Sequence, residues 1–149
     1  MKLIRLSLLT ALFLMASVKI FSQVTSIPAA AKENFARQYP NAQNINWDND
    51  IINVHVRFEL DGFKMNAEYN NKGIWKDTFK DWSYEELPKE VQDGFNKSKY
   101  ADQTVTEVKI VYYPANIEQY RLKVEKNDLQ KKYLFFNTKG RLIRESITI

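Results

Sequence analysis

One histidine, His55, and no cysteine are available to this chain of 149 residues, so the side chains that most often perform nucleophilic and metal chemistry are nearly missing from it. The lack of cysteine removes disulfides, thiolate metal sites and a thiol nucleophile together. A histidine that acts as general base or metal ligand needs partners. His55 alternates with Val54 and Val56 and shares its parity with Arg57 and Glu59, the pattern of a solvent-facing strand position. The carboxylate pairs Asp48 and Asp50, Asp77 and Asp81, and Glu85 and Glu86 fall in or beside expected turns, where acids cap and solvate the chain. Their spacing is too sparse for a calcium loop. With four glycines in all, neither a glycine-rich phosphate loop nor a G-x-S-x-G elbow occurs. The expectation is a protein that is not an enzyme and holds neither metal nor cofactor.

Aromatic and cationic side chains on faces that should be wet carry the remaining chemical content. Tyr133 to Phe136 is apolar at both parities of a strand. If Tyr133 and Phe135 face the core, Leu134 and Phe136 emerge on the opposite side, with Arg121, Lys123, His55, Arg57 and Glu59. An aromatic patch bordered by arginine has the composition of a protein-binding hot spot. A core richer than one layer would use the same residues. Tyr112 and Tyr113 near a hairpin tip, and Trp82 in a polar linker, complete the candidate binding set of His55, Arg57, Trp82, Tyr112, Tyr113, Arg121, Leu134 and Phe136. The expected partner is an envelope or secreted protein or peptide. Stacked aromatics would equally suit a glycan or small ligand, in a pocket lined by Trp82, Tyr84 or the Tyr112 hairpin.

The elements that must position these residues come twice, from about Ile27 to Trp82 and from about Leu87 to Ile149. In the first unit Ser26 is placed to cap a helix whose first turn takes Pro28, with Ala31, Phe35 and Tyr39 on one face. A short strand around Ile45 to Trp47 follows. Ile52 to Leu60 alternates cleanly, Asp61-Gly62 is a hairpin signal, Phe63 to Tyr69 returns, and Asn70 to Gly73 turns into a strand from Ile74 to about Phe79. In the second unit Ser83 and Glu86 resemble a capping box before Pro88, and Val91 and Phe95 carry the buried face. Strands are expected at Thr104 to Tyr113, Gln119 to Glu125, Leu129 to Phe136 and Leu142 to Ile149, with turns at Pro114 to Asn116 and at Asn127-Asp128. Phe35 and Phe95 are 60 residues apart but Val54 and Tyr120 are 66 apart, so the second unit's first hairpin is longer. The fold class is α+β, one domain built as a tandem repeat of a helix plus antiparallel strands.

Lys2 and Arg5 precede the apolar run Leu6 to Val18, which is shorter than the ~20 residues that span a bilayer. This reads as a signal peptide over 1–22, cleaved after Ser22, with a membrane anchor as the other reading. Losing Lys2, Arg5 and Lys19 takes the basic count from 22 to 19 against 18 acids, a net charge near +1. No basic field remains to attract nucleic acid or an anionic membrane. The mature chain, 23–149, is expected to be periplasmic or secreted, without stable membrane insertion.

Phe35, Tyr39-Pro40-Asn41-Ala42, Trp47, Gly73-Ile74-Trp75, Leu87-Pro88 and the closing Lys139-Gly140 with Leu142 resemble the PepSY-like family described as beta-lactamase-inhibitor-like, small exported proteins common in Bacteroidota. The resemblance covers essentially all of the mature chain. It implies helices packed on one face of an antiparallel sheet with the other face free. It assigns no function, since a fold shared with an inhibitor is not an inhibitory site.

Overall fold

Alternation of apolar and polar residues along the strands dictates most of the architecture. The computed structural model describes residues 26–127 and 130–147. The expected signal peptide, Asp128 of the expected turn and Leu129 of the expected strand lie outside them. Among the described residues the order is α1 (Ala29–Gln38), β1 (Gln43–Asn49), β2 (Asn53–Leu60), β3 (Phe63–Asn70), β4 (Trp75–Trp82), α2 (Lys89–Asn96), β5 (Thr104–Tyr113), a 3-10 turn (Pro114–Asn116), β6 (Ile117–Asn127), β7 (Gln130–Asn137) and β8 (Leu142–Ile147). The strands form one eight-stranded sheet in chain order, each antiparallel to the next. The fold is α+β, as the sequence leads one to expect.

Two apolar clusters hold it together. Ala31 and Phe35 of α1 pack on Val54, Val56, Phe58, Met65, Ala67 and Tyr69. Val91 and Phe95 of α2 join Val108, Ile110, Tyr120, Leu122, Val124, Leu134 and Phe136. Met65 is the cross-strand partner of Lys80, and Lys80 of Ile110. Because side chains of paired residues emerge on the same side of an antiparallel sheet, the two clusters share one face. Phe35 anchors the first, its ring edge-on to Phe58 at 4.9 Å and to Trp47 at 5.2 Å. A fully buried Phe contributes roughly 2–3 kcal/mol through area alone, before such ring contacts are added.

The helix starts differ from expectation. Pro28 and Pro88 are themselves the N-cap residues, and neither helix has a side-chain cap. The carbonyl of Pro28 accepts from Ala31 and Lys32, and that of Pro88 from Val91 and Gln92. Ser83 donates instead to the Glu86 carboxylate, a contact ahead of the helix. Ile52 precedes β2 and is 70% exposed. β4 runs on to Trp82, so Asp77, Asp81 and Trp82 belong to a strand and not to turns or a linker.

The turn closing each half is built the same way. Asn70 accepts the backbone N–H groups of Lys72 and Ile74 on its side-chain oxygen, and Asn137 accepts those of Lys139 and Arg141. Gly73 and Gly140 follow at φ +76 and +74. A Cβ on Gly73 would lie 2.6 Å from the Ala30 carbonyl carbon, and one on Gly140 would lie 1.8 Å from the Glu90 oxygen. Each turn therefore touches the backbone of its own half's helix. Gly62, also left-handed at φ +81, faces open space. Gly62→Ala should cost only the backbone strain, about 1 kcal/mol, whereas Gly140→Ala should cost about 3 kcal/mol or more because backbone must also move. Equal losses in a urea titration of the two variants would show that α2 does not rest on this turn.

Candidate binding face

Residues of the other parity emerge on the sheet face away from both clusters. One row across it runs Arg57, Asn66, Phe79, Val111 and Gln119, and the next carries Lys109, Arg121, Phe135 and Arg144. The margin of this face is exposed at Arg57 and Arg144, yet its centre is sunk: Val111 is 0% and Phe135 4% exposed, although neither belongs to either helix-bearing cluster. The Arg121 guanidinium lies 4.5 Å from the Phe79 ring centroid and 4.3 Å from that of Tyr133, and donates to Glu107 at 2.6 Å. Arg144 lies 3.6 Å over Phe135. Each stacked cation gains ~0.5–2 kcal/mol depending on its desolvation, which fixes both long side chains against aromatic floor. A groove of 270 Å³ continues this face, lined by Arg57, Glu59, Lys64, Asn66, Asp81 and Lys109 among others.

Four of the residues singled out by sequence lie on this face: His55, Arg57, Tyr113 and Arg121. Leu134 and Phe136 do not. Both are 0% exposed in the second cluster, because Leu134 pairs with the core residue Leu122 and Phe136 with Tyr120, while Arg121 pairs with Phe135. The aromatic members of the open face are thus Tyr133 and Phe135. Tyr112 and Trp82 also turn to the cluster face. Tyr112, opposite Thr78, packs against both clusters, and Trp82 stacks on Phe63 at 5.3 Å and donates its indole N–H to the Glu86 carbonyl at 3.1 Å. Phe79, Tyr133, Phe135 and Arg144 are what sequence reasoning missed. Phe79 gives no signal in the run Lys76-Asp77-Thr78-Phe79-Lys80-Asp81, where it is the lone apolar residue.

Acidic groups gather at the other end of the face. Glu68 and Asp77 are direct cross-strand partners. Glu68 is bonded by Lys76 and lies 3.7 Å from His55, whose other ring nitrogen is 3.4 Å from Asp50. Asp50 is held below the usual carboxylate range chiefly by the backbone N–H groups of Asn53 and Ile52. Asp77 goes the other way: burial, then the charge of Glu68, pushes it up to about 6. Its Oδ1, the Oδ1 of Asn66 and the Nε of Arg121 are buried without hydrogen-bond partners among the described residues. Two facing carboxylates of unlike environment could exchange a proton, but Asp77 borders neither the 270 Å³ groove nor the 360 Å³ cavity on the cluster face. Among the described residues no cluster of His, Asp and Glu has the makings of a metal site.

Because Asp77 binds its proton more tightly in the folded than in the unfolded chain, its stabilising contribution is full below the ordinary value of 3.8 and is lost as pH rises through about 6. Asp77→Asn should therefore gain stability on the wild type by on the order of 1 kcal/mol between about pH 4 and pH 7.5, the full linkage value being reduced by partial solvent contact. Urea denaturation at both pH values checks this, and parallel pH dependence of the two proteins is the contrary result.

The family described as beta-lactamase-inhibitor-like, PepSY-like matches residues 52–144 of the chain. The chain is similar to a DUF2874 family protein from Bacteroides ovatus, with 27% identity, a TM-score of 0.75, and coverage of 83% of this chain and 89% of that one. It is similar to a BLIP-like protein from Bacteroides fragilis at 25% identity and a TM-score of 0.75, with the same coverage of 83% and 89%. A protein of Bacteroides eggerthii, provisionally described as periplasmic, gives 25% identity, a TM-score of 0.72, and coverage of 83% and 90%. No curated protein matches the chain. With the family matched over 93 of 149 residues (144 − 52 + 1), the chain belongs to the beta-lactamase-inhibitor-like, PepSY-like family.

Proposed function

We propose that this protein is an exported, non-catalytic binding module that recognises a protein or peptide on its open sheet face. The observation that carries the reading is the sunken floor of Val111 and Phe135 with Arg121 and Arg144 stacked on Phe79, Tyr133 and Phe135. Such a surface combines buried aromatic area with oriented donors, and its arginines have already given up much of the side-chain freedom that binding would otherwise remove. Likeness to an inhibitor fold supports the same mode of action, since an inhibitor works by occupying another protein. Removal of the signal peptide over 1–22 would place the mature chain in the periplasm or outside the cell. No helix among the described residues is long and apolar enough to cross a membrane. The face owes its breadth to duplication: a helix and four strands, closed by an Asn-turn and a glycine against the helix, occur once in each half, and both helices leave this face bare.

The test is affinity capture from the envelope fraction of the source organism with mature 23–149 beside an Arg57→Glu, Arg144→Glu variant of equal melting temperature. Both substitutions are at exposed positions, so the core is untouched. A partner retained near stoichiometry by the wild type and lost by the variant, at least tenfold weaker in titration, is the expected result. Identical capture by the two proteins would exclude this face as the recognition surface.

A further inference from the structure

A second hollow opens on the cluster face at the β5–β6 hairpin, with Tyr113 at its edge. It is open to solvent on one side and offers 360 Å³, at the small end of the range that holds compact ligands. It sits above the join between the halves, where β4 presents Thr78, Lys80 and Trp82 and supplies no aliphatic side chain to either cluster. Tyr39 at the end of α1, Phe63, Trp75 and Tyr112 form its walls, and Ile117, 50% exposed, stands at its rim.

Most polar atoms of those walls are already occupied. The Tyr39 hydroxyl and Thr78 Oγ1 are 2.7 Å apart, and the Trp75 indole N–H is shared between the Asp77 carbonyl at 2.7 Å and Thr78 Oγ1 at 2.9 Å. Lys80 is different. Its ammonium lies 3.6 Å from the Phe63 ring centroid and 4.5 Å from that of Trp82, and among the described residues these rings are its partners; it makes neither an ion pair nor a hydrogen bond. A partly buried ammonium facing rings has lost water without gaining a counter-ion. The one acid in the lining, Asp61, is exposed at the β2–β3 turn, where water screens it far more than the half-buried Lys80.

We infer that this cavity binds a small apolar carboxylic acid, its carboxylate on Lys80 and its hydrocarbon or aryl part among Tyr39, Phe63, Trp75 and Tyr112. Neither half could make such a site alone, since Tyr39, Phe63, Trp75 and Lys80 come from the first and Tyr112 and Ile117 from the second.

The probes are 4-phenylbutyrate, the neutral 4-phenylbutan-1-ol and the cationic 4-phenylbutylamine, titrated into the mature protein with backbone amide shifts recorded. The acid should shift the amides of Trp75, Lys80 and Tyr112 and bind at least about tenfold tighter than the alcohol, the amine weakest of the three. Lys80→Met, which keeps the aliphatic stem, should bring the acid down to the alcohol. Ile117→Glu, at the exposed rim, should weaken the acid and spare the alcohol, which keeps the test available if Lys80→Met folds poorly. Equal binding of acid and alcohol, preference for the amine, shifts gathered around Arg121 and Arg144, or no binding of any probe would each overturn the proposal.

Discussion

Pairing of β4 with β5 is the constraint on which the rest of the molecule depends. Residues Thr78 to Trp82 run against Tyr112 to Val108, and through them four strands of one half continue into four of the other. Alone, a helix of ten or eight residues over four strands would have only a small core. Joined, the two clusters become neighbours in one layer, with Tyr112 touching both. The same pairing sets the parity of everything beyond it. Once Lys80 shares a face with Met65 and Ile110, Phe79 must share the other with Asn66 and Val111, and the floor of the open face follows.

Much of the fold was legible because the first half obeys the period-2 rule. Val54, Val56 and Phe58 alternate with His55, Arg57 and Glu59, and Asp61-Gly62 marks the reversal. The second half is harder to phase. In Tyr133-Leu134-Phe135-Phe136 both parities are apolar, so the strand carries no internal sign of which side meets the helices. Its phase comes from β6, where Leu122 and Arg121 are unlike, and that information lies in a partner strand. The candidate site inherits the ambiguity: His55, Arg57, Tyr113 and Arg121 lie on the open face, whereas Leu134, Phe136, Tyr112 and Trp82 lie on the cluster face. β4 was cut short for a related reason, since its polar members Asp77 and Asp81 look like turn residues until a long antiparallel partner is known.

The two faces manage cations in different ways. On the open face Arg121 is clamped by two rings and by Glu107, and its planar group suits stacking and forked hydrogen bonding at once. At the join, Lys80 has rings and no acid. An ammonium is more strongly hydrated than a guanidinium, so the same environment leaves lysine the less satisfied of the two. The contrast separates a cation that organises a surface from one that is still short of a partner.

The glycine turns bear on the order of assembly. Gly73 rests on Ala30 and Gly140 on Glu90, so the end of each half folds back onto its own beginning, and every strand pairs with its neighbour in the chain. Contacts of short sequence separation close small loops and form early. Gly73 and Ala30 both lie in the first half, so both sides of its helix-to-turn contact leave the ribosome before the second half does. β5 is laid on the β4 edge, so the seam that holds the finished molecule together also separates the part of the chain made first from the part made second.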